Sequence, residues 1–220
     1  MERDTVLSEL GKPRDEEFQV TQDRLGINTI DSLGVSVTDI RQLARNIETD
    51  HELAKELWDT GIHEARILAT MIDDPSLVTE QQMEKWISDV NSWDLCDQVC
   101  TNLFRHTHLA NSKSTSWLNR EDEFVKRAGY VLIANFAVHD DDRTIQEFEE
   151  YLRLISASLD DGLDYYAKTG TNWALREIGK RNDELHHKAR NTGEELQTSK
   201  SPDLAWIGRD VLKELAKHDW

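Results

Sequence analysis

Apolar residues recur at helical spacing through nearly the whole chain, and strand-like alternation is hard to find, which restricts the protein to an all-α fold. The spacing runs through Ile40, Leu43, Ala44 and Ile47; Leu53 and Leu57; Ile62, Ala65, Ile67, Leu68, Met71 and Ile72; and Phe148, Tyr151, Leu152 and Ile155. Helix starts agree with it. Thr79 with Gln82 and Thr144 with Glu147 have capping-box spacing, in which each side chain satisfies the other residue's backbone N–H. Ser201 followed by Pro202 puts proline at a first helical position. Segments are short and stop at polar breaks such as Asp59-Thr60-Gly61, Asp73-Asp74-Pro75 and Lys180 to Asp183. Short helices with short breaks fold back on one another, so helical hairpins are expected.

The hairpins resemble each other. Lys126-Arg127-Ala128 aligns with Lys168-Thr169-Gly170 at an offset of 42 residues, and Glu177 to Asn182 aligns with Glu214 to Asp219 at 37. Both offsets fall near the HEAT-type period of about 40 residues. The expected architecture is an α-α superhelix, a solenoid of HEAT-like repeats with a concave groove; a compact non-repeat bundle is the alternative. The 220 residues suffice for one substantial core. Pro occurs only at positions 13, 75 and 202 and Gly at ten scattered sites, so residues 1–220 read as one HEAT-like repeat domain. The densest polar stretches, around Asp140 to Asp142 and from Glu194 to Ser201, are loop-sized. The start Met1-Glu2-Arg3-Asp4 lacks a basic, then apolar, leader pattern, and no apolar run approaches the roughly 20 residues of a membrane span. A cytoplasmic protein without a membrane partner is expected.

The formal net charge is −17, which disfavours a polyanionic partner, because nucleic acid is held by Lys and Arg neutralising phosphates. The excess is N-terminal: residues 1–100 hold 22 acids and 9 bases, 101–160 hold 10 and 7, and 161–220 hold 11 and 10. The C-terminal half therefore fits either a basic stripe (Lys168, Arg176, Lys180, Arg181, Lys188, Arg190, Arg209, Lys213) or a solvated mixed-charge surface. None of the eight histidines forms a zinc-helix pattern, so no metal is assigned. Nucleotide-binding glycine loops and the serine-hydrolase elbow are absent. Cys96 and Cys100, four apart, match neither a zinc pair nor a disulfide framework and read as buried free thiols.

What remains are two tryptophan and carboxylate stations, Ser92 to Asp97 and Asn172 to Glu177. With Ser92 as an N-cap, Trp93 and Asp97 stack on one face of the first helical turn. A π-face beside a carboxylate held ionised by the helix dipole suits a cation. Trp58, Trp86 and Trp206 fall where the periodicity wants core. Trp93 and Trp173 instead start or interrupt helices beside charged residues, as groove faces or as inter-helix wedges. Asp94 and Asp97 equally suit dipole-satisfying first-turn acids. Arg127 interrupts the apolar face of Phe124, Val125, Ala128, Val131 and Leu132 and points to the groove.

The order Glu56-Leu57-Trp58-Asp59, then Ser92-Trp93-Asp94 with Asp97, then Lys126-Arg127-Ala128, then Trp173 with Leu175-Arg176-Glu177 resembles the DNA alkylation repair family of AlkD-like glycosylases over about residues 25–217. The resemblance implies a solenoid of HEAT-like repeats that holds duplex DNA on its concave face and excises N3- and N7-alkylated purines in base excision repair, as a monomer without metal or cofactor. It implies Asp97 as catalytic carboxylate, Trp93 and Trp173 as groove tryptophans, and Arg127 and Arg176 as arginines near the lesion and backbone. Lys126, Lys180, Arg181 and Ser36 complete the implied DNA-binding set. Three positions depart from the family pattern: Leu25 where an aromatic is frequent, Ser36 where the polar residue is commonly larger, and Thr169 where a second lysine stands. The chemistry agrees with the family activity, since an alkylated purine is already cationic and leaves without a general acid while C1′ becomes oxocarbenium-like. The rival expectation is a HEAT-like module that binds DNA structures or a protein partner without catalysis.

Overall fold

The computed structural model of the chain describes residues 1–160 and 162–218. Among the described residues there are thirteen α-helices, two 3₁₀ turns and no strand. The chain divides into two compact units, Met1–His108 and Leu109–Trp220.

Unit 1 holds α1 (Arg3–Leu10), α2 (Glu16–Arg24), α3 (Val37–Ala44), α4 (His51–Trp58), α5 (His63–Ile72), α6 (Glu80–Ser88), α7 (Trp93–Asn102) and a 3₁₀ turn at Phe104–His106. Helix α5 is buried on nearly every side, with Ala65, Ile67, Leu68, Ala69 and Ile72 in the core, so it is the helix around which the unit packs. α3, α4 and α7 all lie against it. Trp58 of α4 and Trp86 of α6 stack with ring centroids 4.1 Å apart and planes 4° apart. Their polar edge is satisfied as well: Trp58 Nε1 donates to Asp89 Oδ2 at 2.9 Å, and Arg66 reaches the Trp58 and Asp89 carbonyls.

The segment before α3 is held by Gln19, which donates to the Thr29 and Ser32 carbonyls, and above all by Glu64. Glu64, fully buried in α5, accepts from Ser32 Oγ at 2.6 Å and from the backbone N–H groups of Leu33, Gly34 and Val35 at 2.7, 2.9 and 3.2 Å. The turn that presents those N–H groups requires Gly34, whose φ is +72° and whose missing Cβ would lie 2.3 Å from the Asp15 carbonyl oxygen.

Unit 2 holds α8 (Ala110–Ser116), a 3₁₀ turn at Trp117–Asn119, α9 (Glu123–His139), α10 (Ile145–Ser158), α11 (Tyr165–Gly179), α12 (Asp183–Gln197) and α13 (Pro202–Leu215). α9 plays the part of α5, buried from Val125 to Ala137 apart from Lys126, with Arg127 and Asn135 as the polar residues in that stretch. α9, α11 and α13 pack in series; α10 and α12 pack in a second row, with α12 also against α11 and α13. Gly208 permits the tightest crossing, because a Cβ there would lie 2.3 Å from the backbone N of Gln197.

Side-chain bonds carry the repeat. In unit 1, Trp58 to Asp89, His63 to Asp94, Glu64 to Ser32 and Thr70 to Asn102 span 31 or 32 residues. In unit 2, Arg127 bonds Thr169 across 42 residues and Asn172 bonds Asp210 across 38. The first of these joins the very positions that the 42-residue alignment superposes. Asp219, the last residue of the 37-residue alignment, lies outside the described residues, as does Trp220.

Several expectations change. Thr144 and Glu147 form the full capping box, but Thr79 forms only half, because Gln82 donates its amide to Asp73 Oδ2 at 2.7 Å instead of reaching back. Trp206 is 37 % exposed, with Lys168 Nζ 5.3 Å from its ring; the third core tryptophan is Trp117. Residues 194–197 continue α12, since the helix periodicity of Ala189 and Gly193 against α13 outweighs the polar composition.

Candidate functional site

Ser92 occupies the N-cap position of α7 and has extended backbone, so Trp93 begins the helix as its spacing predicts. The Ser92 hydroxyl does not bond a backbone N–H; it donates to the Asp94 carboxylate. Trp93 and Asp97, four residues apart, line one cavity of about 270 Å³ with Phe18, Gln22, Leu25 and Ile27 from the α2 end, Val35 and Val37 from the α3 start, Ile67, Asp94 and Gln98. The α2, α3 and α5 residues that line the cavity are apolar except for Thr21 and Gln22, and both carboxylates come from α7. It sits at the low edge of the roughly 300–1,000 Å³ of drug-sized ligand pockets, which suits something the size of one nucleobase.

The Trp93 ring is fixed through its edge: Nε1 donates to the Leu25 carbonyl at 3.0 Å, across 68 residues. Leu25 itself is 62 % exposed at the cavity rim. Asp94 sits deeper and accepts from His63 Nε2 at 2.8 Å. Burial pushes the Asp94 carboxyl up, but the bonds from His63, from Ser92 and from the Leu95 N–H outweigh it and hold the group below the usual carboxylate range. Asp94 is therefore an anion inside the same cavity as Asp97. His63, one of eight histidines without a motif, was not legible as its partner, because no local signal announces a bond across 31 residues; nor was Gln22 legible as a buried cavity residue that accepts from Ser32. Ser36 caps α3, accepting from the Asp39 N–H at 3.2 Å and donating to the Asp39 carboxylate at 2.6 Å.

The remaining candidates belong to unit 2. Arg127 is buried, and its Nη1 donates to the Tyr166 carbonyl at 2.8 Å and Thr169 Oγ1 at 2.9 Å, which ties α9 to the first turn of α11. The sequence directs Arg127 to the groove; in the structure its side chain is buried in this contact, with the Arg127 stem packed beside Gly170. Lys126 pairs with Asp160 at 3.4 Å. Trp173 is half-buried. Arg176 lies 3.6 Å from Asp210 and 3.2 Å from Glu214; Lys180 lies 3.0 Å from Glu177 and 3.3 Å from Glu214. Arg181 donates to the Ala137 carbonyl at 2.7 Å, capping the end of α9, and stacks 4.5 Å from the Phe148 ring. Among the described residues no cluster of three metal-ligating side chains occurs, and no helix is long and apolar enough to cross a membrane. Cys96 and Cys100 are buried free thiols.

Residues 6–200 match the family described as DNA alkylation repair enzyme. In fold the chain is similar to a solved structure from "a new family of proteins related to the HEAT-like repeat DNA glycosylases with affinity for branched DNA structures", with a TM-score of 0.82 and 21% identity over 99% of this chain and 95% of that one. A designed armadillo repeat protein aligns over 97% of this chain and 100% of its own, at 17% identity and a TM-score of 0.45, too distant to carry weight. No curated protein matches the chain. The likeness to the glycosylase-related structure shows the HEAT-like repeat fold. With nearly its whole length matched, the chain belongs to the DNA alkylation repair enzyme family.

Proposed function

We propose that the protein is a DNA glycosylase that excises positively charged N3- and N7-alkylated purines from duplex DNA. The observation that carries this reading is the single cavity in which Trp93 meets two carboxylates, Asp94 and Asp97. In the reaction the C1′–N9 bond breaks and its electron pair goes to the base, which leaves neutral, while C1′ becomes cationic and is captured by water. Asp97 stabilises the developing positive charge and orients that water, whose proton passes to solvent; Trp93 offers a cation–π face. Asp94, kept ionised by His63, adds a second negative charge that favours a cationic base over a neutral one. By the family resemblance, Trp173 supplies a further π-face to the DNA, and Lys126, Arg176, Lys180, Arg181 and Ser36 serve its backbone, while the buried Arg127 ties α9 to α11.

The test is release of base from duplexes containing N7-methylguanine or N3-methyladenine, by wild type and Asp97→Asn. Release by wild type with a loss of about 10²–10³ in the variant is expected, the scale on which one transition-state electrostatic contact acts. Equal release by both proteins removes Asp97 from its role. A second reading, binding of branched DNA without excision, is suggested by the affinity for branched DNA structures of the family to which the similar structure belongs. Tight binding of a four-way junction with no release by wild type decides for it.

A further inference from the structure

The cations of α11 are met by acids of α13. Lys168 pairs with Asp203 at 2.8 Å, Arg176 with Asp210 and Glu214, and Lys180 with Glu214, while Lys217 closes on Glu214 from the other side at 2.7 Å. The approach is close because Gly179 has no side chain; a Cβ there would meet Leu215 at 2.8 Å, so Glu214, one residue earlier, is brought within reach of α11. Around Glu214 stand three cations, Arg176, Lys180 and Lys217, and three carboxylates, Glu177, Asp210 and Glu214, so the local charge balances to zero. The ion-paired side chains remain partly open to water: Arg176 is 28% exposed, Lys180 22%, Asp210 33% and Glu214 18%. Glu214 is ionised at any ordinary pH, held at about 2 by Lys217 first and then by Lys180 and Arg176.

We propose that Arg176 and Lys180 form a latent phosphate site whose occupant in the free protein is the carboxylate pair Asp210 and Glu214 of α13, and that this pair sets the affinity of the chain for a nucleic-acid backbone. The proposal rests on the reading of the protein as a DNA binder. Two carboxylate oxygens on a guanidinium and a neighbouring ammonium reproduce what a phosphodiester offers the same groups. DNA must displace these acids to gain the two cations, so binding exchanges ion pairs instead of making new ones. The contacts thus yield little affinity and release few counterions.

The experiment compares full-length wild type with the Asp210→Asn and Glu214→Gln double variant, in binding to an unmodified duplex across a salt series, with unchanged circular dichroism as the folding check. The variant leaves Arg176 without Asp210 and Glu214, Lys180 with Glu177 alone and Lys217 without Glu214. With Arg176 and Lys180 then both on phosphates, the slope of log K against log salt steepens by about 1.8, at roughly 0.9 per phosphate contacted. Over a fourfold change in salt that makes the affinity ratio of variant to wild type about tenfold larger at the lower concentration. Adding Arg176→Ala to the variant should take back about one unit of slope. The control is Glu150→Gln with Glu194→Gln, which removes the same charge and frees Arg153 and Arg190 elsewhere; its slope should match wild type. If wild type binds DNA and the double variant shows the same slope, or the control steepens equally, the latent site is overturned while the DNA reading stands. If neither protein binds DNA at low salt, both fail together.

Discussion

Replacing Glu64 tests whether one buried carboxylate orders the wall of the cavity. Its Oε1 accepts from Ser32 Oγ, Gly34 N and Val35 N, and its Oε2 from Leu33 N alone. Glu64→Gln has the same shape, and one orientation of the amide keeps the three-donor side intact. The amide NH₂ then faces the Leu33 N–H, leaving that buried donor unsatisfied at a cost of about 1–3 kcal/mol. Glu64→Ala orphans the Leu33 and Val35 N–H groups, while Ser32 Oγ keeps Gln22 Oε1 and the Gly34 N–H keeps Ser32 Oγ, each at 3.1 Å. With the void added, its cost should exceed that of Gln and reach about 4–5 kcal/mol even after the turn relaxes. With a urea m-value of about 2 kcal/mol/M, the Gln variant should lower the unfolding midpoint by about 1 M and the Ala variant by about twice that. Val35 and Val37 follow the stapled turn and line the cavity, so base release should weaken even at temperatures where the variant is folded. A Gln variant within about 0.5 kcal/mol of wild type, or an Ala variant no worse than Gln, refutes the argument, because neither outcome is compatible with the Leu33 and Val35 N–H groups depending on one carboxylate.

Two further outcomes follow from the packing. Asp94 has a folded-state pKa below its unfolded value of 3.8, so it contributes stability above about pH 3.8 that is lost as pH falls toward the lowered value; Asp94→Asn should be less stable than wild type at pH 7, with the gap closing below pH 3.8 in acid titrations followed by circular dichroism. Gly208→Ala would gain about 1 kcal/mol in an exposed helix, but here the new Cβ meets the α12 backbone at 2.3 Å, so chemical denaturation should show a loss of about 3 kcal/mol.

The parts of this molecule that depend on near neighbours were legible in the sequence. Helical periodicity and the Thr144 box fix where helices run and start, and the Trp93 to Asp97 spacing puts both side chains in one cavity. The 42-residue offset also had a physical meaning, because Arg127 and Thr169 touch. What failed depended on distant partners. Gln82 abandons its cap for Asp73, nine residues back, and Trp206 lies at the margin of its helix's apolar face, where spacing alone does not distinguish core from rim. Glu64 reads as one more acid in an acidic chain, and only the fold reveals that four donors surround it. The 31- and 32-residue bonds of unit 1 leave no sequence similarity to align, since the residues that start them, Trp58, His63 and Thr70, differ in kind even where the partner is an aspartate in both of the first two.

The arrangement of the tryptophans gives the chain an internal optical gauge. Trp58, Trp86 and Trp117 are sealed from solvent, and the first two are stacked closely enough to couple electronically. Trp93 and Trp173 are partly open, and Trp206 more so. A neutral quencher such as acrylamide therefore reaches the second group and spares the first. Among the described residues, emission excited at the red edge reports on Trp93, Trp173 and Trp206, while the near-ultraviolet dichroism of the stacked pair reports on the integrity of unit 1. Anything that enters the cavity beside Trp93 should change the first signal and leave the second untouched, so occupancy and unfolding can be read separately in one unlabelled sample.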